Sequence, residues 1–184
     1  MKTIYIIRHF KVKDSTNKRL NANEFTHWIE DYDNFDLEYL NLNLPKFDKI
    51  YVSSQNRAIK TANYLKLDYE ISDLLVEVEA FAFTKTKLRF SKSFWLVISR
   101  ILWFFNFTKN ETKKDTKNRA MKFISKIENE KNETILIISH GLYLKVLIGL
   151  LKKLGYKCND DFNIKNGKLY KLYKGFLKDK IWHF

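Results

Sequence analysis

This sequence predicts an α/β fold, a three-layer α/β/α arrangement around a mostly parallel central sheet with a small helical insertion. Three features predict it. Short apolar runs of strand length alternate with stretches whose apolar residues recur at helical spacing. The strand-like runs are apolar on both faces, as strands sandwiched between helix layers must be. With 184 residues, 45% of them hydrophobic, the chain is long enough to bury one core and short for two.

In chain order, Thr3-Ile4-Tyr5-Ile6-Ile7 reads as the first strand, being β-branched and aromatic throughout. Residues 21–44 are polar and aromatic, and read as a helix with a long loop. Asp48-Lys49-Ile50-Tyr51-Val52 is a second strand, and residues 56–65 follow as a helix with Ala58, Ile59, Ala62 and Leu65 on one face. Residues 94–107 are dense in aromatics and preceded by Lys85, Lys87, Arg89 and Lys92. They read as a helix of an inserted subdomain, with two functional readings open: a lid over a site, or a surface touching membrane or partner. Residues 119–130 place Met121, Ile124 and Ile127 at steps of three. Thr134-Ile135-Leu136-Ile137-Ile138 is the third strand, residues 142–154 an apolar helix, and residues 168–182 a strand hairpin split around Gly175. The expected organisation is one domain over 1–184, with about 83–108 inserted as a helical lid or subdomain.

Composition narrows the function. The net charge of +13 comes from a lysine-rich chain that is also rich in asparagine, a bias that an AT-rich coding genome produces unaided. Lys113, Lys114, Lys117, Lys122 and Lys126 are interleaved with acidic residues along a solvated helical face, so no specific nucleic-acid binding is expected. The excess charge attracts anionic ligands. A single cysteine, Cys158, excludes an internal disulfide and a multi-cysteine zinc site. No apolar run reaches the roughly 18–20 residues of a membrane span, and residues 1–8 lack a cleavage site, so a cytoplasmic location is expected.

Of four histidines, His9 and His140 both follow a strand directly, His9 after Arg8 and His140 after Ser139. The carboxyl ends of parallel strands share one sheet edge, where ligands bind, so the two meet if their strands are neighbours. Arginine is scarce, yet Arg8 and Arg57 occupy the same edge, Arg57 at the start of the helix behind Ser53-Ser54. A guanidinium fork grips two phosphate oxygens at once, and a helix N-terminus adds its amides. Two histidines and two arginines converging there make a phosphoryl pocket. His27 and His183 read as structural and terminal, respectively.

The runs Ile6-Ile7-Arg8-His9, Val52-Ser53-Ser54-Gln55-Asn56-Arg57-Ala58 and Ile137-Ile138-Ser139-His140-Gly141, in that order and each after a strand, resemble the histidine phosphatase superfamily, also called phosphoglycerate-mutase-like. The resemblance implies His9 as the nucleophile that carries a phosphohistidine. It implies Arg8, Arg57 and His140 as ligands of the phosphoryl oxygens, and no metal or cofactor. The family's acid falls in Leu75-Val76-Glu77-Val78-Glu79, with Glu77 at the matching position and Glu79 on the same side if the segment is extended.

Two departures stand out: Phe10 replaces the family's usual glycine after the histidine, and Ala80-Phe81-Ala82-Phe83 lacks the glycine usual after the acid. Phe10 either narrows the site or turns into the core. The implied activity is a phosphomonoesterase for a small phosphorylated substrate, since mutases of this kind are usually longer. Mutase-type phosphoryl transfer and a non-catalytic phosphate-binding or scaffolding domain are the alternatives. Trp95 and Trp103 in the insertion are expected to help select the leaving group, and Lys11, Lys13 and Lys18 to meet extra substrate charge or simply solvent.

Overall fold

The structure, a computed structural model, describes residues 2–108, 110–158 and 163–174. Its elements are β1 (Thr3–Arg8), β2 (Lys11–Val12), α1 (Ala22–Tyr32), β3 (Leu37–Glu38), β4 (Lys49–Ser53), α2 (Asn56–Tyr64) and β5 (Glu70–Ser72). They continue with a 3-10 turn (Asp73–Leu75), α3 (Lys92–Phe104), α4 (Lys113–Asn129), β6 (Thr134–Ser139), α5 (Gly141–Lys153), β7 (Tyr156–Cys158) and β8 (Leu169–Lys174). Six strands form one sheet in the order β5-β4-β6-β1-β8-β7, and β2 and β3 form a separate ribbon. β5, β4, β6 and β1 run parallel, and β8 and β7 add an antiparallel edge.

Alternation along the central strands builds the layers. Ile4, Ile6, Ile135 and Ile137 pack with Phe123 and Ile124 of α4 and with Leu144 and Leu147 of α5. Their neighbours Ile7, Leu136 and Ile138 face the other way, onto Ala58 and Ala62 of α2. Each such side chain contributes about 1.5–3 kcal/mol on burial, and a one-residue slip would turn every one to the wrong layer. The register of β1 against β6 is therefore fixed by both faces at once.

Most expected elements lie where the periodicity placed them. α4 starts earlier than residue 119, because its first turns are polar and carry no apolar repeat. Its start is marked instead by a capping box, with Thr112 and Asp115 exchanging side-chain-to-backbone bonds. β8 covers the first half of the segment expected as a C-terminal hairpin, but it lies between β1 and β7, which take both of its edges; residues 175–182, like His183, lie outside the described residues. No helix among the described residues is long and apolar enough to cross a membrane.

The 94–107 region is where the structure corrects the reading. Trp95, Ser99 and Trp103 form the buried face of α3. Trp95 stacks on Phe25 of α1 at 5.3 Å between centroids, and its Nε1–H donates to the Leu20 carbonyl at 2.8 Å. Trp103 donates to Thr116 Oγ1 at 3.1 Å. Both indoles are spent in anchoring the helix, so neither is a substrate-selecting surface.

Candidate active site

The β1–β6 register pairs Arg8 with Ser139 at the carboxyl ends of adjacent strands. The next residue on each strand is a histidine, and the His9 amide donates to the Ser139 carbonyl at 3.0 Å. The two imidazoles consequently lie 5.0 Å apart, centroid to centroid. His9 is 4% exposed, Arg57 7% and His140 fully buried, so charges here interact with little water between them.

Hydrogen bonds assign each ring a role. His9 Nδ1 lies 2.7 Å from the Phe10 carbonyl oxygen. A carbonyl only accepts, so Nδ1 carries the proton and Nε2 keeps its lone pair. Burial, with Arg57 and then Arg8 nearby, pushes the His9 pKa down to about 3, against a weaker upward pull from the Phe10 carbonyl. The ring is neutral at physiological pH. His140 sits between Arg57 Nη2, 3.5 Å from its Nδ1, and Ser53 Oγ, 2.9 Å from its Nε2. A guanidinium only donates, so Nδ1 accepts and Nε2–H donates to the serine. Burial first, then His9 and the arginines, hold His140 well below the ordinary histidine range.

Arg57 enters from the first turn of α2 and is fixed from three sides. Asp33, just beyond α1, pairs with its Nη1 at 2.9 Å, Tyr32 lies under the guanidinium at 5.1 Å, and Gln55 Oε1 approaches Nη2 at 3.5 Å. Asp33 also receives the Asn56 and Arg57 amides at 2.9 and 3.3 Å, capping α2, where Gln55 offers no side-chain cap. Arg8 Nη1 donates to the Ile164 carbonyl at 3.3 Å, and its guanidinium lies against Gly141, where an added Cβ would stand 3.0 Å from Cζ. Arg8 Nε and Arg57 Nε are buried donors without a protein partner. Two such donors beside two neutral imidazoles suit a group rich in acceptor oxygens, as a phosphoryl group is.

Glu77 is held at the N-terminus of α5, the helix that starts after His140. Its carboxylate accepts from Leu142 N at 3.1 Å and from Tyr143 N at 2.9 Å, and from Val78 N at 2.9 Å. Its own amide donates to Gln55 Oε1 at 2.9 Å, so Gln55 joins the acid's segment to Arg57. Arg119 pins the preceding backbone through the Leu74 and Val76 carbonyls at 3.0 and 2.8 Å, and Ser139 Oγ–H donates to the Leu75 carbonyl at 2.6 Å. Glu79 is exposed. Both glutamates line one cavity of about 380 Å³, together with Gln55, Phe81 and Glu111.

Phe10 turns into the core: it is fully buried with Val12 and Leu37, and its amide donates to Thr61 Oγ1 at 3.0 Å. Space for its ring comes from Gly167, whose missing Cβ would lie 2.9 Å from Phe10 Cδ1. Lys11 and Lys13 pair with Glu38 and Asp36 across the β2–β3 ribbon at 2.8 and 2.7 Å, and Lys18 is exposed. His27 is exposed beside Glu30, away from the site.

Sequence reasoning missed Asp33, Gln55, Arg100 and Arg119. Arg100 of α3 donates to the Val78 carbonyl at 2.5 Å; burial lowers its pKa, Glu77 opposes that shift and Arg57 adds to it. Arg119 is held by Glu111 through two bonds, 2.9 and 2.8 Å. The scarcity of arginine that singled out Arg8 and Arg57 applied equally to these two. Asp33 carried no comparable signal, since it is one acid among several on a polar stretch.

The model of the histidine phosphatase superfamily (branch 1) matches residues 40–175. That span takes in Arg57, Glu77 and His140 and begins after His9, which the β1–β6 register brings to His140. No curated protein matches the sequence significantly. Among solved structures, the chain is similar to a phosphoglycerate mutase from Bacillus anthracis str. Sterne, at 20% identity over 94% of this chain and 88% of that one, with a TM-score of 0.57. It is similar to the alpha-ribazole phosphatase from Shigella flexneri at 19% identity over 81% and 79%, TM-score 0.51. It is also similar to a phosphoserine phosphatase variant from Entamoeba histolytica in complex with phosphoserine, at 17% over 83% and 81%, TM-score 0.50. At these identities the likeness is one of fold.

Proposed function

The chain belongs to the histidine phosphatase superfamily, and on that premise we propose that it is a metal-independent phosphomonoesterase working through a phosphohistidine on His9. The observation that carries this reading is the His9 Nδ1–H bond to the Phe10 carbonyl, which leaves Nε2 as an unprotonated nucleophile beside His140. In the first step the Nε2 lone pair forms a bond to phosphorus as the phosphorus–oxygen ester bond breaks. Arg8 and Arg57 take the phosphoryl oxygens, the two free guanidinium Nε–H groups among them, and His140 joins them by turning its Nε2–H from Ser53 Oγ to the phosphoryl group. The leaving alkoxide receives a proton from Glu77, whose carboxyl shares a cavity with Glu79. Water then attacks phosphorus, gives up its proton to Glu77, and releases phosphate from His9. Within one domain, residues 83–108 form the inserted helical part.

The substrate is a small phosphate monoester. Hydrolysis of an aryl phosphate in the presence of EDTA tests the reading directly. Phosphate release that survives the chelator and is lost in His9→Ala supports it. Transfer to an added alcohol or phosphoglycerate without phosphate release would instead mark a mutase, and binding of vanadate without turnover a phosphate-recognition domain.

A further inference from the structure

α3 has two faces of opposite use. Its buried face is spent on the core. Its other face presents Phe94, Val97, Ile101 and Phe104, spaced three, four and three residues apart, and each is at least 40% exposed. Phe105 and Phe107 extend the patch past the helix end at 61% and 73% exposed. Other exposed large apolar side chains, such as Ile71 and Leu154, lie on separate elements. Single exposed residues need no explanation, whereas a contiguous aromatic stripe marks a surface that something covers.

We infer that this face docks on an anionic lipid bilayer. Charge argues for that occupant. From residue 80 to residue 110 the sequence holds six Lys or Arg and no Asp or Glu; of the six, Arg89 and Lys92 pair with Glu24 and Asp14, and Arg100 turns inward onto the Val78 carbonyl. Lys85 and Lys87 are exposed ahead of the helix, and the Lys113 ammonium lies 3.3 Å over the exposed Phe104 ring. An apolar stripe with cations around it is the pattern of a helix lying in the headgroup region, rings in the acyl boundary and cations on lipid phosphates. Its 13 residues are too few to span, at about 20 Å of helix, so it lies flat. A second copy of this chain fits poorly, because it would bring another net charge of +13 against the same basic rim. A nucleic acid would satisfy the cations and leave the stripe in water.

Docking here sets the cavity that holds Glu77 and Glu79 beside the membrane. On the inward side of the same helix, Ser99 Oγ accepts from the Phe81 amide at 3.1 Å and Arg100 holds the Val78 carbonyl. Phe81 lines the cavity that Glu77 and Glu79 share.

The test is co-sedimentation of the full chain with phosphatidylcholine vesicles and with mixed phosphatidylcholine–phosphatidylglycerol vesicles. Binding to the mixed vesicles alone is expected, and should fall at least about tenfold in Val97→Ser/Phe104→Ser and in Lys85→Glu/Lys87→Glu. These positions are exposed and outside the catalytic groups, so melting temperature and soluble-substrate turnover should be retained. Failure of the wild type to bind mixed vesicles overturns the inference. So does binding that survives the apolar substitutions and vanishes only with salt, which is surface electrostatics alone. Self-association in sedimentation velocity, abolished by Val97→Ser/Phe104→Ser without vesicle binding, overturns it in favour of a second copy.

Discussion

Asp33 holds Arg57 twice: its Oδ1 pairs with the guanidinium Nη1 at 2.9 Å and accepts the Arg57 backbone amide at 3.3 Å. One carboxylate thus starts α2 and aims the arginine that starts it. The two duties separate by substitution. Asp33→Asn keeps one of the two amide bonds and loses the ion pair, so stability should fall less than in Asp33→Ala while kcat/KM falls about tenfold through misplacement of Arg57. Asp33→Ala should lose the same activity and about 1 kcal/mol of stability besides. Urea melts beside steady-state kinetics distinguish the two.

Gly141 is required by contact. A methyl there would press on Arg8 Cζ at 3.0 Å, while the backbone is ordinary helix start. Gly141→Ala should therefore leave the melting temperature unchanged or slightly raised and weaken phosphate binding by shifting Arg8. An unchanged inhibition constant for inorganic phosphate would show that Arg8 yields without consequence.

The acid can be assigned by comparing Glu77→Gln with Glu79→Gln. Glu77 holds the first turn of α5 through two amides, one on each oxygen, and Gln keeps one of those acceptors, so the fold should survive with one bond lost. Glu77→Gln should lower turnover by about 10²–10⁴ for alkyl phosphates and by less for aryl phosphates, whose leaving group needs no proton. Glu79→Gln should be near wild type on both. The reverse pattern would move the proton donor to Glu79.

Stability should fall in acid. His9 titrates near 6.5 when unfolded and about 3 when folded. Between those values the unfolded chain binds a proton that the folded chain does not, so stability is full above pH 6.5 and declines as pH drops toward 3. His140, also lowered, adds in the same direction. Melting temperature measured across that range should drop less steeply in His9→Ala than in the wild type; parallel curves would contradict the buried neutral ring.

Much of the fold is legible in the amino-acid sequence. The runs at 3–8, 49–53 and 134–139 are apolar on both faces, and their helices repeat at clear spacing, so strand and helix positions follow from burial alone. The meeting of His9 and His140 requires only that β1 and β6 be neighbours. What stays hidden is short or tertiary. β5 and β7 have three residues each, too few for a period. Trp95 and Trp103 are apolar enough for either face of a helix, and only the packing of α1 and α4 decides which. Glu77 carries no sign in sequence that α5 will supply its donors, because helix and acid are more than 60 residues apart.

The most direct measurement is mass spectrometry of the enzyme quenched in alkali during turnover of an aryl phosphate. The expected result is a phosphoryl group on the peptide containing His9, stable in alkali, lost in acid and absent from His9→Ala. A phosphoryl group on another residue, or full turnover by His9→Ala, would contradict a His9 nucleophile.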